Sequence, residues 1–297
     1  MNAGARNPIL RSIALYIAAT VFFVALDSLA KVMVMGSLPP ALVVWGRYAG
    51  SLALVVLVML FAGVSQTVAT SSLALQLTRG ILLVGATGCM FQAVKVLPVA
   101  LSYAISYVSP FIVLLAASHF LKEQITRKQI MGALMGFAGV LVIMRPGASD
   151  WQWAMLLPLG AATFYALYQV LTRMVGRRDS PLTSLFYVTL GGTLITTLAL
   201  PWSYTPMPAS TWALMGVLGA LGTVGHFLLI WAYTGAAASV LSPFVYVQMV
   251  WAGIIDVFVF NTSFDTVAII GACIVIGGGL LIIESVQKRS QTAPHKT

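Results

Sequence analysis

The sequence predicts an all-α integral membrane protein with ten transmembrane helices, arranged as two inverted five-helix repeats (5+5) with both termini cytoplasmic. Composition, an internal repeat and the placement of Lys and Arg carry that expectation. The chain is 60% hydrophobic and 8% charged, with a mean hydropathy of +0.97, whereas soluble domains carry about 25% charged residues. The apolar residues fall in runs of roughly 20, the length a helix needs to cross a ~30 Å hydrocarbon core.

The repeat shows when Ala93–Met144 is slid forward by 139 residues onto Ala232–Ile283. Tyr107-Val108 then falls on Tyr246-Val247, Gly132-Ala133 on Gly271-Ala272, and Gly139 on Gly278. A shift of 142 lays Phe22-Phe23 on Phe164-Tyr165 and Pro39 on Pro181. The predicted units are residues 1–147 and 148–286, followed by a disordered cytoplasmic tail over 287–297.

Ten spans follow in order, at about 11–33, 40–62, 74–94, 98–121, 128–144, 152–174, 182–201, 210–233, 238–260 and 266–284. Breakers separate them: Pro39-Pro40, Pro146-Gly147, Ser180-Pro181, and Pro206 with Pro208. With the N-terminus inside, cytoplasmic segments hold eleven Lys and Arg, and the outer ends hold three, Lys31, Lys95 and Arg145. That imbalance sets the orientation, so the net charge of +9 reads as a topology signal and not as a nucleic-acid surface. Five spans per unit is an odd number, which inverts the second copy. Inverted repeats are a hallmark of secondary transporters, although channels and some enzymes also contain repeats.

Ionisable groups inside spans are costly and are functional candidates. Asp27 sits one turn before Lys31, and either a self-neutralising pair or a substrate- or proton-handling role fits it. Arg47 and Arg79 can snorkel or pair, and Arg47 has the fork that suits a substrate carboxylate. His226, mid-span, is either an interhelical donor or the best candidate for proton coupling, with Asp27 the other. His119 and Asp256, near span ends, read as structural. Gln92, Gln169 and Gln248 can bind substrate or join helices.

Span 4 carries Tyr103 and Tyr107 beside Pro110, and span 9 carries Pro243, Tyr246 and Gln248. A proline removes a backbone bond and bends a helix, freeing carbonyls beside a cavity. Tyrosines at such bends suit an amphipathic organic substrate or, equally, an aromatic packing seam. Gly132, Gly136, Gly139, Gly271 and Gly277–Gly279 mark spans 5 and 10 as helices that approach closely. Cys89 and Cys273 lie in apolar runs and read as packing residues. No GxxxxGK[ST], HExxH, CxxC or GxSxG element occurs, so ATPase, metal and hydrolase chemistry are not expected.

The run Leu121-Lys122-Glu123, then Gly132, Gly136-Phe137, Gly139-Val140 and Met144-Arg145-Pro146-Gly147, resembles the EamA family of the drug/metabolite transporter superfamily. Asp27 with Lys31, Arg47, and Gly225-His226-Phe227 through Ser242-Pro243-Phe244-Val245-Tyr246 fit the same pattern. The likeness covers about residues 12–285 and is greatest to the YddG-type amino-acid exporters. The second copy departs from the pattern, with Phe260-Asn261-Thr262 where the first has Leu121-Lys122-Glu123. The resemblance implies a central cavity built from spans 3, 4, 8 and 9, and export of small metabolites without ATP.

The expected activity is therefore export of amino acids, aromatic and other neutral ones favoured, across the bacterial inner membrane by alternating access. Transport of a vitamin, nucleoside or drug, or a channel, are the alternatives. The expected cavity residues are Tyr103, Tyr107, Gln169, His226, Tyr246 and Gln248, with Trp45 and Arg47. No cofactor, metal, nucleic acid or ATPase subunit is expected. The expected partners of a monomeric chain are a small-molecule substrate and the lipid bilayer.

Overall fold

The computed structural model describes residues 8–62, 68–97, 99–145, 152–260 and 266–292. Helices α1 (Pro8–Met35), α2 (Pro40–Ala62) and α3 (Leu73–Val96) fill the first three spans. The fourth is split into α4 (Val99–Ser106) and α5 (Ser109–Phe120), and α6 (Arg127–Met144) is the fifth. A 3-10 turn, Trp153–Met155, leads into α7 (Leu156–Val175), followed by α8 (Pro181–Thr197), the short α9 (Leu200–Ser203) and α10 (Ala209–Gly235). The ninth segment consists of α11 (Ala238–Leu241), a 3-10 stretch, Ser242–Tyr246, and α12 (Val247–Phe260). The last helix is α13 (Thr266–Thr292).

Among the described residues, seven helical stretches are long and apolar enough to cross a membrane. The segment expected as span seven, α8, has 17 residues, and the apolar stretches Ala238–Ile254 and Ile269–Ser285 lie within the segments expected as spans nine and ten. Residues 287–292, expected as a polar tail, instead continue α13, because Gln287–Arg289 and Gln291 extend a helix as readily as a coil. Residues 293–297 lie outside the described set.

Local signals explain the helix starts. Pro40 and Pro181 open α2 and α8, where the missing N–H costs nothing. Thr126 and Gln129 form a reciprocal capping box on α6, and Ser180 caps α8 through Thr183 N.

The helices pack in exchangeable pairs. α1 lies on α10 and α3 on α7, α10 also packs on α2, and α3 also packs on α8. Adding five to each span number turns the α1–α10 contact into α7–α3, and α2–α10 into α8–α3. The α2–α8 and α6–α13 contacts map onto themselves. α6 and α13 approach through glycines: a Cβ on Gly139 would stand 2.7 Å from Gly271 O, and one on Gly271 would stand 2.8 Å from Gly139 O.

One end of the bundle gathers the start of α1, the end of α7, the α10–α11 connection and the Lys128–Glu284 ion pair at 2.8 Å. Lys122, Arg127, Arg173, Arg177 and Arg178 belong to the same end. We call it the basic end.

Candidate binding cavity

Both proline-bearing segments break where the chain needs free carbonyls. In the first, Phe111 N donates to Val108 O at 3.0 Å, an i−3 bond that leaves Tyr107 O without its i+4 partner. Tyr246 Oη, from the other break, donates to Tyr107 O at 3.1 Å. The two tyrosines are equivalent in the 139-residue register and meet with ring centroids 6.0 Å apart. In the second break, Pro243 sits at the start of the 3-10 stretch, and α12 restarts at Val247.

A cavity of about 220 Å³ opens beside these breaks, walled by α1, α2, α3, α4, α7, α10 and the second break. Its charged and polar lining is Asp27, Arg47, Thr87, Tyr103, Ser106, Tyr107, Ser109, Tyr165, His226 and Gln248. Asp27 is open to this space and accepts from Gln248 Nε2 at 3.5 Å. Arg47 Nη2 lies 2.9 Å from His226 Nε2, and the Tyr168 hydroxyl lies 3.3 Å from His226 Nδ1. A guanidinium only donates, so Nε2 is the acceptor and the ring proton sits on Nδ1, facing Tyr168. Phe23 packs on the imidazole at 4.9 Å. Arg47 and Asp27 thus face one cavity with opposite charges and, among the described residues, form no ion pair with each other.

Tyr103, Tyr107, His226, Gln248, Arg47 and Asp27 are therefore brought together. Three other expected cavity residues are not. Trp45 turns away, donating from Nε1 to Thr197 Oγ1 at 3.0 Å and stacking edge-on against Trp212 at 6.2 Å. Tyr246 is buried under Tyr107 and against Gly136. Gln169 lies deeper, accepting from Tyr233 Oη and, at 3.5 Å, from Tyr16 Oη. Arg79, fully buried, is held by neutral groups: Nη1 donates to Gln76 Oε1 at 2.5 Å and Nε to Thr172 Oγ1 at 3.1 Å, while Nη2 has no hydrogen-bond partner among the described residues.

The α3 wall of Leu83, Ala86, Met90 and Phe91 escaped sequence reasoning because apolar residues in an apolar span raise no flag. A signal did exist for Phe23 and Tyr165. The shift of 142 superposes them, and both border the cavity.

Comparison with known proteins gives this arrangement its context. Residues 10–145 and 152–284 match the EamA-like transporter family. The chain belongs to the EamA-like transporter family. It is 27% identical over 230 residues to an S-adenosylmethionine uptake transporter of Rickettsia bellii, covering 75% of this chain and 76% of that one. It is 27% identical over 262 residues to a riboflavin transporter of Brucella anthropi, covering 86% and 92%. To the pseudopaline exporter CntI of Pseudomonas aeruginosa it is 26% identical over 283 residues, covering 94% and 95%. A solved structure 18% identical in sequence shares the fold, with a TM-score of 0.79 over 96% of this chain and 99% of that one. The protein is a multi-pass bacterial inner-membrane member of this small-metabolite transporter family.

For an EamA-like transporter, the closure of the cavity matters as much as its lining. Toward the basic end lies a layer of Tyr16, Tyr168, Gln169 and Tyr233, all buried to 1% exposure or less. Beyond it, Arg173 Nη1 donates to the last carbonyls of α10, Tyr233 O at 2.6 Å and Thr234 O at 2.9 Å. Glu123 accepts from the first amides of α11, Ala238 N at 3.0 Å and Ser239 N at 2.9 Å. Lys122, with a left-handed φ of 55°, makes the turn that returns Glu123 to that position.

Proposed function

We propose that this chain moves small zwitterionic metabolites of the amino-acid class by alternating access, two five-helix halves rocking about the cavity. The observation that carries the reading is the presence of Asp27 and Arg47 in one cavity without an ion pair between them. An ammonium group matches the carboxylate, and a substrate carboxylate matches the guanidinium fork. The ring edges of Tyr103, Tyr107 and Tyr165 favour an aromatic or other neutral side chain between the two charges. At about 220 Å³ the cavity is smaller than the ~300–1,000 Å³ of drug-sized sites, which suits a small solute.

The ten-span inverted layout supports this mechanism, and the exchangeable helix pairs support that layout. The positive-inside rule assigns the basic end, and with it both termini, to the cytoplasm. The cavity is then outward-facing, and the tyrosine layer with Glu123 and Arg173 is its inner gate. Relatives carry both uptake and export names, so direction is read here as set by the substrate gradient, with export of amino acids the physiological sense.

Counterflow of labelled phenylalanine into proteoliposomes tests the reading. Phenylpropionate lacks the ammonium and phenethylamine lacks the carboxylate. Each forgoes one charge-assisted bond of about 1.5–3 kcal/mol, so each should compete roughly 10- to 100-fold less well than phenylalanine. Equal competition by all three, or no saturable flux of any zwitterion, rejects the proposal. Riboflavin in the same panel tests the second reading, a ring-bearing metabolite without the zwitterion, which the aromatic lining and a relative's name favour.

A further inference from the structure

A second chamber of about 190 Å³ lies against the first, between α2, α3 and α8. Val44, Val84, Gly88 and Ala199 give it an apolar surface, and it lies toward the end opposite the basic end. Thr87 and Phe91 line both chambers. A single layer of side chain from α3 therefore separates a cavity holding two opposite charges from a mostly apolar, uncharged space in which Thr87, Gln92 and Thr196 are the polar exceptions. A bound lipid chain would account for the apolar surface alone. The common wall is the feature that ties the space to the substrate.

We infer that the substrate site has two parts: the main cavity holds a zwitterionic head, and the second chamber takes an apolar tail or ring that passes Phe91. This rests on the zwitterion reading and extends it to amino-acid-headed molecules longer than phenylalanine. Neither chamber alone reaches the ~300–1,000 Å³ size class of drug-sized ligands, whereas the two joined do. Phe91, unbranched at Cβ, can swing on χ1 between staggered wells, which gives the wall a way to open. Gly88 lines the chamber, and a Cβ added there meets nothing within 4 Å.

That open space supplies the test. Gly88→Leu adds a side chain at a residue that lines the second chamber and not the first, from a position where its Cβ meets no atom within 4 Å. The full chain in phosphatidylcholine nanodiscs is titrated calorimetrically with L-alanine, L-phenylalanine, L-2-aminooctanoate and L-2-aminodecanoate. In the wild type, affinity should keep rising beyond phenylalanine, by up to about fourfold for each methylene that enters. In Gly88→Leu that rise should vanish while alanine and phenylalanine bind as before. A plateau at phenylalanine in the wild type means the chamber is closed to substrate or held by lipid, and overturns the inference alone. A rise that survives Gly88→Leu overturns it as well. If no member binds, alanine included, the zwitterion reading falls and takes this one with it.

Discussion

At 2.9 Å from His226 Nε2, the Arg47 guanidinium holds the imidazole in one tautomer and still presents the rest of its fork to the cavity. Lys in its place keeps the charge but offers a point donor on a flexible stem. Arg47→Lys should therefore bind phenylalanine at least about tenfold more weakly and lose most discrimination against phenethylamine; unchanged competition curves would separate Arg47 from the substrate carboxylate. Because Arg47 occupies His226, Asp27 is the better placed of the two candidate proton carriers, being open to the cavity. Asp27 and Arg47 were legible in the sequence because a charge within an apolar run stands out. Gln169 and Tyr246 bear the same marks as true lining residues, and only their depth excludes them. At the basic end, Asp179 accepts from Thr70 Oγ1, Ser71 N and Gln76 Nε2. Partial burial pushes its carboxyl upward, but these donors outweigh that and hold it below its ordinary value of 3.8. A depressed folded-state value adds stability that is present above the unfolded value and lost as pH falls through the folded one. Acidification below about pH 4 should thus lower the thermal midpoint of the wild type more than that of Asp179→Asn, as read by a pH series of melts.

In the proposed mechanism two kinds of helix divide the labour between holding and moving. α6 and α13 lock through small residues: Gly132 and Gly278 meet as Gly139 and Gly271 do, each Cα close to the partner's carbonyl. A side chain at Gly139 would meet Gly271 O at 2.7 Å and Val275 N at 2.9 Å, both rigid backbone. Gly139→Val should cost about 1–3 kcal/mol by forcing the pair apart, visible as a lower unfolding temperature in nanodiscs. Gly216→Val, where a Cβ meets nothing within 4 Å, is the matched control and should unfold with the wild type. The glycine spacing announced this pair in the sequence, and the prolines announced the two breaks. The offset between the two breaks showed in the sequence as well. Eight residues of α4 precede the first break but only four of α11 precede the second. The Ser-Pro-Phe match at a shift of 133 already differed from the glycine register of 139. The partner that makes the offset matter, Tyr246 Oη on Tyr107 O, is a tertiary contact between residues 139 apart.

In the proposed mechanism the two halves are alike in packing and unlike in their gates. At the basic end, Glu123 ties the loop after α5 to the first amides of α11, and Lys128, Thr126 and Gln129 tie the start of α6 to Glu284, Ser285 and Ser239. All of these bonds cross between the two proposed halves, and in the proposed mechanism those of Glu123 must part before the cavity can open there. The corresponding place in the second half has Phe260-Asn261-Thr262 and no acid, and residues 261–265 lie outside the described set. A carboxylate on two backbone amides is a charge-assisted interaction. Removing it should therefore shift the two-state balance toward opening at the basic end. A cysteine at Gln169, in a chain with Cys89 and Cys273 replaced by Ser, reports that opening by maleimide labelling, because Gln169 is 1% exposed while the gate is shut. Glu123→Ala should raise the labelling rate about tenfold, since a charge-assisted bond that must break on opening is worth roughly 1.5–3 kcal/mol. Glu123→Gln keeps an acceptor but not the charge and should fall between the two. Equal rates in all three would show that the tyrosine layer alone keeps the inner side closed.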